Sequence, residues 1–297
     1  MNPQTQRGVT LIELMVGITI GLLTVAVAMG ALMVSRGVSG TVSDASLIQQ
    51  QGSYAMRVIG LQLRQAGSLR LNLDPGTSTT ESSYLIASAF EADYKHPDSS
   101  SFSVKNDTIK GKSAPGTDEY ALSVGYRNYV EPVFISASAT SLHRNCLGQN
   151  NNNSLILSAF QLYTPASDPA RRELRCAGPA STASTPTGPQ AIINNVANFQ
   201  VRYLLQDNTV PGASTIKTVD ASGVTKWAQV QAVQVCLVLY GNESIDMPAG
   251  STYTDCDGTA VNMTTLTGTR NKRLHIAFRN TFQLRSQGLI GSVITPQ

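Results

Sequence analysis

From Val9 to Val34 every position is apolar, small or hydroxylated except one, Glu13. As a helix this run of about 26 residues reaches about 39 Å, enough to cross a bilayer. Past Arg36 polarity rises, yet the helical period persists. Val38, Val42, Ala45, Ile48, Gly52, Ala55, Ile59, Leu63 and Ala66 recur every three or four residues, while Gln50, Arg57, Arg64 and Gln65 fall largely elsewhere on the wheel. Gly67 is a natural left-handed cap. The spacing therefore predicts one long helix ending there, whose second half carries an apolar stripe that a sheet must cover.

The rest of the chain reads as strands and polar loops. Residues 72–116 are loop-rich, with Asp74-Pro75-Gly76 and a Ser/Thr cluster, and leave room for hairpins or a short helix. Strands are predicted at 120–126, 131–137, 154–163 and 171–176. The tract 150–153 reads as a turn, and the Pro/Ser/Thr-rich stretch 177–190 as a connector without regular structure. The strongest alternation comes late. Phe199, Val201, Tyr203 and Leu205 form one series, Val233, Val235, Leu237 and Leu239 a second, and Leu274, Ile276, Phe278, Phe282 and Leu284 a third. Three such strands predict an antiparallel sheet with one face against the helix, an α+β fold.

Composition narrows the setting. Charged residues make up 14% of the 297, and the net charge of +3 is spread out, with no basic stripe of the kind that tracks nucleic acid. Four cysteines, Cys146, Cys176, Cys236 and Cys256, fit two disulfides in an oxidising compartment. None forms a CxxC pair, which argues against structural zinc. Three pairings are open. Cys146–Cys176 and Cys236–Cys256 are favoured, because each pair brackets a local polar loop. The tract 254–259 has a superficial likeness to a calcium loop, but it lacks the third acidic position and the closing glutamate, so a disulfide-pinned turn is expected. His96, His143 and His275 are far apart, and His275 is expected on a strand surface. No nucleophile elbow, phosphate loop or HExxH motif is present, so neither an enzyme nor a cofactor is expected.

Glu13 is the costly residue, since a carboxylate in a spanning helix usually has an assigned partner. The apolar run is too long for an ordinary signal peptide and lacks a small-x-small cleavage site, while Arg7 ahead of it predicts a cytoplasmic N-terminus. Gly8-Val9-Thr10-Leu11-Ile12-Glu13-Leu14, preceded by a short basic leader, resembles the class III signal of type IV pilins and type II secretion pseudopilins. The resemblance implies a prepilin peptidase that cuts between Gly8 and Val9 and methylates the Val9 amine. It also implies that Glu13 pairs with the terminal amine of a neighbouring subunit during assembly. Two departures stand out: Val9 where Phe is commonest, and Gly30 where many major pilins have proline. Gly17 and Gly21 form a GxxxG, read most simply as packing within a filament core.

The tracts 192–205, 230–241 and 273–286 resemble the last strands of the PilW family of minor pilins, and 63–67 resembles the end of that family's first helix. The stretch 70–190 matches nothing recognisable. The resemblance implies a type IV pilin-like fold: a leader at 1–8, a transmembrane and filament-core helix at 9–36, its amphipathic continuation at 37–68, and an exported β-rich domain at 69–297. Implied partners are the prepilin peptidase, other minor and major pilins, a tip adhesin, and membrane lipid before assembly. Two alternatives remain at this stage: a J-type minor pseudopilin of type II secretion, and a pilus-tip module binding an adhesin, a surface or DNA.

Overall fold

The computed structural model describes residues 8–66, 93–95, 101–103, 108–116, 119–127, 143–149, 155–166, 169, 171–179, 186–207 and 215–284. The chain opens with one unbroken helix, α1 (Leu11–Gln65), which has no proline and runs straight through Gly30. It stops at Gln65, where the Ala66 amide turns back to Leu63 O at 3.2 Å. The expected cap, Gly67, lies outside the described residues.

β1 (Asp93–Lys95) and β2 (Ser101–Ser103) pair as a small hairpin. β3 (Ile109–Gly111), β4 (Leu122–Arg127), β5 (Leu155–Tyr163), β6 (Glu173–Pro179) and β7 (Pro186–Ile193) then form an antiparallel sheet in chain order. β8 (Val196–Asp207), β9 (Thr215–Val219), β10 (Val230–Tyr240), the β11–β12 hairpin (Thr252–Thr254 with Ala260–Asn262) and β13 (His275–Gln283) complete the described elements. The second sheet has the order β13-β10-β8-β9, with β10 at its centre. One long helix on antiparallel sheets is the α+β class.

The alternating strands put Val233, Val235, Leu237 and Leu239 on the helix side, all fully buried, in one core with Ile48, Ala55, Ile59 and Leu63 of α1. Two helix glycines bring the layers close, since an added Cβ at Gly52 would strike the Phe278 ring and one at Gly60 the Phe282 ring. The spacings agree: eight residues of helix and four of strand each advance about 12–13 Å. Polar clasps hold the packed half at both ends. Near the start, the buried Asp44 carboxylate accepts the Glu243 amide at 2.8 Å. Near the end, Gln62 donates to Arg144 O at 3.0 Å and accepts from Tyr126 at 3.2 Å and Ser158 at 2.9 Å.

Two expectations need correction, and one strand is new. The stretch 177–190 is not wholly irregular, because β6 continues to Pro179 and β7 begins at Pro186, with register shifts between them. The β6–β7 pair ends a sheet, where proline's missing amide and a bulge are tolerated. His275 is not a surface residue: it is 5% exposed, because the β11–β12 region covers the outer face of the second sheet. That cover also buries Cys236, Val238 and Tyr240, so both faces of β10 are core. Strand β9 and the 3-10 turns that follow it are elements the alternation pattern does not signal. The strand expected at 131–137, the turn at 150–153 and His96 lie outside the described residues.

Candidate processing and assembly site

Helix α1 divides into two stretches with different surroundings. Up to Val38 it is exposed and apolar, with Leu11, Ile20, Leu23 and Val34 each half-exposed or more. This is the single described helix long and apolar enough to cross a membrane. The residues that would be cut and paired sit at its open end. Gly8 and Val9 precede the first helical turn; no other group lies within 4 Å of a Cβ at Gly8, and Val9 is 74% exposed. The Gly8–Val9 bond is thus outside the helix, as a protease needs.

Thr10 caps the helix from extended backbone (φ −74°, ψ 151°). Its hydroxyl oxygen accepts the Glu13 amide at 3.3 Å, and Glu13 Oε2 in turn accepts the Thr10 amide at 3.0 Å and hydroxyl at 2.9 Å. This reciprocal capping box satisfies amides that the first turn would leave open, and it sets a carboxylate at the positive end of the helix dipole. Both bonds fall on one oxygen. Among the described residues Oε1 has no partner, so the carboxylate keeps an acceptor for a further donor. The sequence reading gives Glu13 a neighbour's amine as its partner and misses the bonds within the chain from Thr10, which the Thr-x-x-Glu spacing signals once the helix start is known.

The other predicted site residues are in the head, about 46 Å along the helix between Glu13 and Asp44 alone. Cys146 is joined to Cys176 (Cα–Cα 6.3 Å), tying the 143–149 turn to β6. Cys236 is joined to Cys256 (Cα–Cα 5.6 Å), tying β10 to the turn after β11. In that turn Asp255 accepts from Asn198 at 2.9 Å and from the Cys256 amide at 2.7 Å, and Asp257 accepts from the Thr259 amide and hydroxyl. Asp255 thus ties the turn to β8, and Asp257 closes its own loop. No cluster of three or more His, Cys, Asp or Glu able to hold a metal occurs among the described residues.

His275 stacks on Tyr253 with ring centroids 4.5 Å apart. Its Nδ1 lies 2.8 Å from Arg273 O, and its Nε2 accepts from Arg270 Nε at 3.3 Å. Burial, helped by the Arg270 charge, lowers its pKa to about 4, against the opposing pull of Arg273 O and Asp255. His143 instead meets the Tyr126 ring edge-on at the 143–149 turn. Both histidines pack against tyrosine rings in the head.

Residues 161–286 match the family model described as Type IV Pilus-assembly protein W, so the likeness reaches back into the stretch 70–190 expected to match nothing, and residues 3–29 match that of the Prokaryotic N-terminal methylation motif. No curated protein matches the chain. Among solved structures, a type IV-like pilin from Thermus thermophilus is similar at 11% identity, covering 59% of this chain and 81% of that one, with a TM-score of 0.29.

Proposed function

We propose that this type IV pilin-like minor pilin, PilW-like over residues 161–286, is cut by a prepilin peptidase between Gly8 and Val9 and built into a pilus through Glu13. The chain is anchored by its apolar N-terminal helix. In this reading it waits in the inner membrane with its N-terminus in the cytoplasm and its head in the periplasm. Cleavage exposes the Val9 amine, which is then methylated. During assembly the helix leaves lipid for a bundle of similar helices, and Glu13 meets the Val9 amine of a neighbour. The pairing matters chiefly because either charge alone in an apolar bundle is costly.

The observation that carries this reading is the state of the N-terminal turn. The scissile bond is exposed ahead of the helix, and Glu13 has one carboxylate oxygen engaged and one open. The head has the bulk of an end-piece more than of a repeating unit, which supports a place in a tip complex with other minor pilins. There it would prime assembly and could carry an adhesin. The role is structural, with no substrate turned over. The PilW match favours a pilus over a type II secretion machine. N-terminal mass spectrometry of the mature protein tests the processing: a chain beginning at methylated Val9 is expected, and an intact Met1 in functioning fibres would refute it. A deletion strain tests the machine, since loss of surface pili is expected and loss of enzyme secretion alone would move the protein to the pseudopilin class.

A further inference from the structure

The packed half of α1 has a second apolar line that the head leaves open. Leu47, Tyr54 and Leu61 follow one another at seven-residue spacing, so they share one flank of the helix, and they are 37%, 52% and 50% exposed. Half-buried Val58 fills the line between the last two. Beside it opens a cavity of about 370 Å³, bordered by Tyr54, Val58 and Leu61 on one side and by Tyr126, His143 and Arg144 on the other. Its far wall is cross-braced. Arg144 O receives bonds from Gln62 and Tyr126, the Cys146 amide donates to Ser158 at 3.0 Å, and the Cys146–Cys176 disulfide fixes the turn to β6.

Among the described residues, the rim of this groove carries charge of a single sign. Arg57 and Arg64 are exposed at four residues before and three after Leu61, and Arg144 is exposed on the opposite edge. Neither 45–66 nor 143–149 contains an aspartate or glutamate. Among the described residues no carboxylate pairs with these three guanidiniums. An apolar line at helical spacing, a preformed hole beside it and a cationic rim are the counterpart of an amphipathic helix with acidic flanks.

We propose that this groove docks an acidic amphipathic helix of a partner protein, with one large apolar side chain entering the cavity between Tyr54 and Arg144. The proposal deepens the assembly reading above and rests on it. A lipid occupant is disfavoured by position, since Leu47 lies about 16 Å and Leu61 about 37 Å along the helix beyond Arg36. A second copy of this chain is disfavoured by charge, since an isologous pairing would set the same arginines against each other.

The test uses the full chain in piliated cells, with photoreactive benzoylphenylalanine placed at Tyr54, an exposed aromatic position. The expected product is a crosslink to another protein, mapped by mass spectrometry to a segment with acidic residues flanking apolar ones at three- and four-residue spacing. Arg57→Glu with Arg64→Glu should lower its yield roughly tenfold, and lysines in place of the partner's mapped acids should restore it. No crosslink, a crosslink to lipid, to a second copy or to a segment without acids, or a yield unmoved by charge reversal would each overturn the proposal. N-terminal processing is measured on the same samples. Normal processing with no crosslink sinks the groove alone, whereas an unprocessed chain sinks the assembly reading beneath it.

Discussion

The two halves of α1 are one continuous helix, yet they are held in place by opposite means. Up to Val38 it is apolar all round apart from Glu13 and Arg36 near its two ends, and no group lies within 4 Å of a Cβ at Gly17, Gly21 or Gly30. From Asp44 onward it is two-faced: Ile48, Ala55, Ile59 and Leu63 are at most 2% exposed, and Gly52 and Gly60 lie against phenylalanine rings. The first half has composition without contacts and must find its surroundings in lipid or in other helices. The second half has contacts that define the head. Backbone geometry does not distinguish them; what each residue meets does.

The sharpest way to break this contrast is to place the same kind of change in each half. Ile59→Asp puts a carboxylate into a fully buried site without a partner and should cost more than about 4 kcal/mol, enough to unfold the head. Ile20→Ala, in the exposed half, should leave head stability unchanged within about 0.5 kcal/mol. Urea unfolding of the full chain in micelles, followed by the fluorescence of Trp227, reads both. Equal midpoints for the two variants would show that the halves are not energetically separate.

A second probe reaches the head through its outer layer. Above about pH 6.5 His275 is neutral in both states. As pH falls, the unfolded chain takes up a proton first, because folding holds the imidazole at about 4. Its contribution should therefore be whole above pH 6.5, decline between 6.5 and 4, and be lost below 4, by about 3 kcal/mol in all. His275→Phe keeps a ring against Tyr253 and should flatten that part of the pH profile, as measured by denaturant midpoints at pH 7.5, 5.5 and 4.5. Parallel profiles for wild type and variant would remove His275 from the acid response. Glu13, at the other end of the molecule, should leave this profile unmoved.

The same residue shows where reading the chain alone runs out. Three- and four-residue spacing revealed where α1 runs, and alternation at Val233, Val235, Leu237 and Leu239 revealed which residues share a face. Alternation says nothing about what covers the other face, so His275, on an outward position, reads as surface until β11 and β12 are seen over that face. Proline content hid the strand ends at Pro179 and Pro186, because a composition rule cannot see that a pair lies at a sheet edge. At the N-terminus the chemistry was legible, but the partner of Glu13 within its own chain was not. The cost of Glu13 was plain, but the bonds that Thr10 supplies needed the helix start to be located.

Glycines give a finer test of the contrast. Alanine within a helix gains about 1 kcal/mol over glycine, and in the exposed half nothing opposes that gain. Gly17→Ala should therefore be neutral or slightly favourable to helix content. At Gly52 or Gly60 the new methyl meets a ring held by β13, so overpacking of about 1–3 kcal/mol should outweigh the gain and leave a net loss near 1 kcal/mol. The thermal midpoint of the head should thus fall in Gly52→Ala and stay in place in Gly17→Ala, whose effect is read as helix content. A stabilised Gly52→Ala would show that Phe278 yields at little cost and that the close approach is not tight.

The smallest change in stability separates the two roles of Glu13. Thr10→Ala removes the hydroxyl from the capping box but keeps the carboxylate and its charge, and should cost about 1 kcal/mol of order in the first turn. Hydrogen exchange in micelles should then quicken roughly fivefold at the Glu13 and Leu14 amides while the head is unaltered. Glu13→Gln does the converse. A glutamine oxygen can still accept from the Thr10 amide and hydroxyl, so the turn should stay ordered, but the negative charge is gone. If charge pairing with a neighbour's amine drives incorporation, Glu13→Gln should be poorly recovered in sheared pili despite normal cleavage, and Thr10→Ala should be recovered nearly as well as wild type. If capping is the whole role of Glu13, the order reverses, with Glu13→Gln incorporated and Thr10→Ala impaired.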